Sequence, residues 1–220
     1  MNKKIKNIYK KLFFSLGPQG WWPADEPFEV MVGAILTQNT NWKNVERAIN
    51  NLKKKRLLNP LSLRHISQGR LARLIKPAGY FNIKANRLKN FLDFLFNFYK
   101  GKVKDMLGVD TPILRRQLLN IKGIGPETAD SILLYALGKP IFVVDAYTKR
   151  IFVRLGMIKE KDSYDEVQNF FMKRLKKNTK LFNEYHALLV RLGKEFCIKK
   201  TPRCHLCPLK ELKCVNLAYF

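Results

Sequence analysis

What the sequence lacks narrows its reading first. No apolar run approaches the roughly 20 residues a membrane span needs. Cysteine is scarce: four residues, none before Cys197, which excludes a disulfide framework holding the whole chain. There is no alternating strand series, no strand–turn–strand pair and no internal repeat. Acidic residues are few, 17 against 42 Lys and Arg, leaving a net charge of +25. So large an excess points to a polyanionic partner such as nucleic acid, because each neutralised phosphate releases condensed counterions. On charge alone an anionic membrane surface, or a Lys-rich surface without a partner, stays open. The N-terminal MNKKIKNIYKKLFFSLG begins basic, but its apolar stretch is too short for a signal peptide and lacks a cleavage site. It reads as an amphipathic helix, and the chain is expected to remain cytoplasmic. With 220 residues, 46% of them hydrophobic, the chain can build one or two compact lobes and is no disordered basic tail.

The pattern that is present is helical. Val30 to Lys54 carries apolar residues at helical spacing, broken only by the polar run TQNTN at 37–41. Residues 71–74, 86–99, 164–176 and 184–193 continue it, and the aromatic face of Phe91, Phe94, Leu95 and Phe98 reads as core. Gly17-Pro18, Pro60, Pro77, Gly79, Gly101, Gly108 and Pro112 punctuate these segments. Ile141 to Val144 looks strand-like, yet four residues after Gly138-Lys139-Pro140 suit an extended lead-in to a helix. An all-α fold is expected.

Two segments carry chemistry. In residues 118–156, a helix ends near Ile121, Lys122-Gly123-Ile124-Gly125 makes a tight turn, and a second helix follows from Thr128 to Leu137. Two glycines let the backbone turn sharply, Ile124 would plug the core, and the amides after Gly125 form a positive helix N-terminus suited to phosphate. Alone, this is equally a plain helix–loop–helix corner. Asp145, twenty residues after Gly125, closes an apolar run and precedes a helix, so by itself it is an N-cap. At the C-terminal end Cys197, Cys204, Cys207 and Cys214 are spaced C-x6-C-x2-C-x6-C. Four thiolates can hold a [4Fe–4S] cluster or a tetrahedral zinc, although zinc ribbons usually carry two close pairs and this has one. The loop between the first two cysteines presents Lys199, Lys200 and Arg203, three cations suited to clamping phosphate.

The block 118–156 resembles the hairpin-Gly/Pro-Asp signature of the helix-hairpin-helix (HhH-GPD) DNA glycosylase superfamily, whose best-known branch is endonuclease III. The resemblance runs from about residue 18 to 215. It implies a two-lobed, all-α, endonuclease III-like fold: a six-helix barrel over 21–137 ending in the hairpin, and a second helical domain, 1–20 plus 138–220, holding an iron–sulfur cluster. It implies a monomeric base-excision-repair glycosylase that hydrolyses the N-glycosidic bond of a damaged base in double-stranded DNA. Lys122, Gly123, Gly125 and Thr128 become DNA-backbone residues and Asp145 the catalytic carboxylate. Bifunctional members carry a Lys two residues after the second hairpin glycine, which forms a Schiff base with the sugar. Here that residue is Glu127, and a carboxylate cannot form a Schiff base. The chain is therefore expected to be monofunctional, using water and leaving an abasic site.

The front half resembles the same superfamily. In GAILTQNTNW (33–42), Gln38 matches the residue that fills the gap left by a flipped base. In KPAGYFNIKANRL (76–88), Tyr80 matches a second wedge and Lys84 a phosphate contact. Trp21-Trp22-Pro23 with Trp42 looks like the 3-methyladenine DNA glycosylase III branch, in which the matching residues line the base pocket. Methylation at N3 or N7 makes a purine cationic, and aromatic faces hold such a base well. The cysteine motif resembles that of endonuclease III, which has one residue fewer before the last Cys, and so favours a [4Fe–4S] cluster over zinc. That quartet is absent from the 3-methyladenine branch, so features of two branches meet in one chain. An endonuclease III-like glycosylase/lyase for oxidised or mismatched bases, and a non-catalytic DNA-structure binder, are the alternatives. The second would tolerate loss of Asp145.

Overall fold

A computed structural model of the chain describes residues 2–212, 214 and 215, and among them every regular element is a helix. The chain divides into two compact units, residues 22–139 and residues 1–21 with 140–220.

In the unit of residues 22–139 the central element is α2 (Pro27–Leu36), buried on every side from Phe28 to Leu36. Its sequence PFEVMVGAIL has no polar face, as befits a helix surrounded by others. Against it pack α3 (Trp42–Lys54), α6 (Phe81–Tyr99) and α8 (Pro126–Ser131), while α4 (Pro60–His65) and α5 (Gln68–Leu74) lie on α6 and α7 (Thr111–Leu119) lies on α8. Asn41, Asn59 and Ser67 start α3, α4 and α5 by accepting a hydrogen bond from the backbone of the first turn, each cap worth about 1 kcal/mol. On α6, Phe91, Phe94 and Leu95 are buried as expected, but Phe98 is 64% exposed. The helix's last turn buries Tyr99 instead, whose hydroxyl donates to Gln117, while the Phe98 ring lies 5.2 Å from that of Phe94. The helix after the turn is also not uniform: α8 gives way to a π-helical turn at Ile132–Ala136. Helices α7 and α8 are tied by Arg115, which donates to both oxygens of the fully buried Asp130 at 2.8 and 3.2 Å.

The other unit holds α1 (Asn2–Leu16), α9 (Ala146–Arg154), α10 (Tyr164–Met172) and α11 (Thr179–Glu195). Its core is aromatic: Phe142 stacks on Phe171 at 4.0 Å, with Phe182, Tyr185 and Phe152 edge-on around them. The N-terminal segment is amphipathic as read, burying Ile5, Ile8 and Leu12. Its carbonyl at Ile5 accepts from the Tyr185 hydroxyl at 3.0 Å. Residues 141–144 are extended and buried but pair with no strand. Their polar groups are met by side chains: Gln168 Nε2 donates to Phe142 O at 2.7 Å, and Val144 N donates to the Tyr164 hydroxyl at 3.3 Å. Composition made the segment look like a strand, and side chains of α10 replace the ladder.

Candidate active site and nucleic-acid interface

In the unit of residues 22–139 the hairpin is built from its own backbone. Ile124 N donates to Ile121 O at 3.0 Å, and Ile124 is buried beneath the turn. Gly123 sits at φ +95°, where an L side chain is strained. Lys122, Gly123, Gly125 and Glu127 are exposed. The carbonyl edge of the turn is consumed inside the protein: Asn90 Nδ2 donates to Lys122 O at 2.9 Å and Gln38 Nε2 to Gly123 O at 3.1 Å. At the entry to α8 Gly125 provides no side-chain cap, and Pro126 removes one donor. The turn thus offers solvent the Lys122 cation and exposed backbone, with its acceptors turned inward, a surface suited to an anion.

Several residues singled out in the sequence fall elsewhere than expected. Lys84 is not a phosphate contact. It is 1% exposed, and its ammonium donates to Leu36 O at 2.9 Å and Ala78 O at 2.8 Å. Burial, then the neighbouring Arg87 charge, lowers its pKa to about 8. Its place is fixed by α6 lying with that face inward, where a long side chain reaches the ends of α2 and the Lys76–Ala78 turn. Thr128 likewise lies under the hairpin, its hydroxyl accepting from Gln38 Nε2 at 2.9 Å, and does not present its side chain to a DNA backbone. Gln38 itself is half-buried and held by three partners, the third being Arg87, which donates to its Oε1. Tyr80 is 67% exposed and precedes α6 in the left-handed region at φ 44°, a strain of order 1 kcal/mol in a non-glycine residue.

Of the tryptophans, Trp22 and Trp42 meet edge-to-face at 5.1 Å, and Tyr135 joins them at 5.3 Å from Trp22. All three rings are half-buried. Gly33 of α2 makes room: a Cβ there would stand 3.1 Å from the Trp22 ring. Trp21 is half-buried and ends the other unit, and Pro23 is exposed. Tyr135 was not legible in sequence, because its position depends on the π turn, a feature that often marks functional sites.

In the other unit Asp145 caps α9, accepting from Thr148 N at 2.7 Å. Its Oδ2 lies 3.6 Å from His186 Nε2 on α11, and the carboxylate is 11% exposed. Burial pushes this carboxyl up, but the neighbouring His186 imidazole and the hydrogen bond from Thr148 outweigh it and hold it below the ordinary range. At neutral pH it is an anion in a partly dehydrated site. His186 carries no signal in sequence; a lone His in a helical apolar run reads as core.

Helix α9 also reaches the cysteines. Arg150 donates to Cys197 O and Gly193 O, both at 2.9 Å. Arg154, 1% exposed, donates to Ile198 O at 2.8 Å, to Lys199 O at 2.7 Å and to Cys197 Sγ at 3.3 Å. All four cysteines line one cavity of about 130 Å³ with Arg154 and the side chains of Ile151, Leu155, Leu192 and Leu209. Burial, then the neighbouring thiols, pushes Cys207 up, and the same causes act on Cys214. No group of three or more His, Cys, Asp or Glu side chains among the described residues could hold a single metal ion. What the cavity offers is four thiols around an apolar space. Lys199, Lys200 and Arg203 are exposed on the loop.

Comparison with known proteins agrees with this architecture. The pattern of the HhH-GPD superfamily of base excision DNA repair proteins matches residues 32–177. A Methanocaldococcus jannaschii protein named as a DNA repair glycosylase is 54% identical over 209 residues, 94% of each chain. The crystal structure of the H. pylori 3-methyladenine DNA glycosylase bound to 1,N6-ethenoadenine is similar with a TM-score of 0.75 at 31% identity, covering 86% of this chain and 96% of that one. A non-covalent endonuclease III–DNA complex shares the fold with a TM-score of 0.83 at 23% identity, covering 98% of this chain and 95% of that one.

Proposed function

The chain belongs to the HhH-GPD superfamily of base excision DNA repair proteins, and we propose that it is a monofunctional DNA glycosylase releasing an alkylated purine such as 3-methyladenine. The observation that carries the substrate class is the cluster of Trp22, Trp42 and Tyr135. Aromatic faces gain about 0.5 to 2 kcal/mol from a cation placed over them, and an N3- or N7-alkylated purine is a cation. The H. pylori enzyme that resembles this chain is by its name a 3-methyladenine glycosylase.

In this reading the hairpin, with Lys122, Gly123 and Gly125, grips the DNA backbone, assisted by Lys199, Lys200 and Arg203. Tyr80 and Gln38 fill the space vacated by the flipped nucleotide. Trp22, Trp42 and Tyr135 receive the base, and Trp21 and Pro23 are further candidates for that pocket. Asp145, kept ionised by His186 and Thr148, stabilises the positive charge that develops on the sugar and orients the attacking water. Glu127 stands exposed in the first turn of α8 and offers no amine, so no imine forms there and the product is an abasic site. Cys197, Cys204, Cys207 and Cys214 would hold a [4Fe–4S] cluster, which when bound supplies structural cross-linking of the loop.

Base release from methylated DNA, resolved by chromatography, tests this directly. We expect free 3-methyladenine, strands that break only after alkali or heat, and no borohydride-trapped adduct. Trapping that survives Glu127→Gln but is lost on replacing Lys122, Lys139 or Lys149 would overturn the monofunctional assignment. Release of only oxidised or mismatched bases from a lesion panel would overturn the substrate class.

A further inference from the structure

The hairpin, Thr128 and Arg87 of α6 are joined through Gln38 into one hydrogen-bonded assembly. Gln38 cannot enter a duplex while its amide nitrogen donates to Gly123 O and Thr128 Oγ1 and its oxygen accepts from Arg87 Nη1. The stem of Arg87 lies on the hairpin turn: a Cβ at Gly123 would meet Arg87 Cγ at 2.5 Å, Nε at 2.9 Å and Cδ at 3.0 Å. Arg87 is half-buried, and its hydrogen bond to Gln38 is its single one among the described residues. It has no carboxylate partner there, and its charge acts on the buried ammonium of Lys84. A guanidinium has five N–H donors in a fork that matches phosphate. Two adjacent cations without an acid repel one another, and that repulsion is relieved when a phosphate arrives.

We propose that Arg87 is a DNA-backbone contact that doubles as the latch of Gln38: it holds Gln38 against the hairpin in the free protein and takes a duplex phosphate in its place on binding. This rests on the reading of the hairpin as a DNA grip. Release of Gln38 is then conditional on backbone engagement, so the residue that fills the duplex gap is freed only where DNA is already seated. The exchange also explains why Gly123 must be glycine for a second reason besides its φ: any side chain there would displace Arg87.

The test uses two fluorescein-labelled duplexes, one intact and one carrying a tetrahydrofuran abasic analogue, titrated with the full-length protein over a range of salt. Loss of one phosphate contact lowers the slope of log K against log salt by about 0.9. We expect that loss in both Arg87→Ala and Arg87→Gln. Freed of its latch, Arg87→Ala should also prefer the abasic duplex several-fold more than wild type does, and that gain should vanish when Gln38→Ala is added. Arg87→Gln, which can still donate to Gln38, should show the slope change without the gain in preference. It also keeps the slope readable should Arg87→Ala fold poorly. Unchanged slopes in both variants, or a gain in preference that persists without Gln38, overturn the latch. A wild-type protein that binds neither duplex overturns instead the reading of the hairpin on which it stands.

Discussion

The hairpin at 121–125 and the cysteine loop from 197 are both exposed turns whose carbonyl oxygens are gripped by side chains of neighbouring elements, and they are gripped differently. The hairpin closes on its own backbone and is held by neutral amides from Asn90 and Gln38. The cysteine loop has few bonds of its own at its start and is held by the guanidinium groups of Arg150 and Arg154. Both arginines are buried. Burying a guanidinium costs free energy that hydrogen bonds to neutral acceptors offset only in part. Four cysteine thiolates around Arg154 would supply a compensating anion, as phosphate would for the half-buried Arg87. The hairpin is therefore closed by its own hydrogen bonds, whereas under the proposed function the cysteine loop would be completed by a cluster.

The largest effect should separate chemistry from either grip. Asp145→Asn keeps an acceptor for Thr148 N, so α9 stays capped. Base release should fall by roughly 10²- to 10⁴-fold, with duplex affinity unchanged in a binding titration. Wild-type release rates would reduce Asp145 to a helix cap.

The next effect asks whether both turns touch DNA. Replacing Lys199, Lys200 and Arg203 together by Ala should flatten the salt dependence of binding by up to about 2.7, about 0.9 per phosphate. An unchanged slope would leave the hairpin as the sole grip. In the same loop, anaerobically purified protein should be brown with about four irons per chain, and Cys207→Ser should lose the colour. Stoichiometric zinc without iron would make the two turns alike in needing no cluster.

Gly123→Ala sharpens the comparison on the other side. It forces a side chain into positive φ and onto Arg87, and should cost on the order of 2 kcal/mol of stability, read as a lowered denaturation midpoint. Partial recovery in Gly123→Ala with Arg87→Ala would assign part of the cost to the clash.

The smallest effect concerns Lys84. Its folded pKa, about 8, lies below that of the unfolded chain, so between these values the unfolded state binds more protons and stability rises with pH. Relative to Lys84→Met, the wild type should gain on the order of 1 kcal/mol between pH 8 and pH 10, because the two carbonyls offset part of the burial cost. A pH-independent difference in denaturation midpoint would mean that Lys84 stays charged throughout.

Short-range features of the chain were legible without a structure. Helical periodicity, the two glycines around Ile124, the cap at Asp145 and the cysteine spacing are all local patterns. A turn or a cap is decided by residues within a few positions of one another, so sequence alone determined an all-helical chain with a glycine hairpin, a carboxylate at a helix start and a thiol quartet. Tertiary structure decided where each side chain goes. Lys84 reads as a surface cation in its segment, and becomes buried because α6 turns that face toward α2 and the turn before it. Gln38, Arg87 and Thr128 lie far apart in the chain, and only packing brings them to one hydrogen-bonded group. Tyr135 depends on one π turn, and His186 on α11 docking against α9. Burial and partnership are properties of packed surfaces, set by contacts distant in sequence, and for that reason they could be read only from the folded chain.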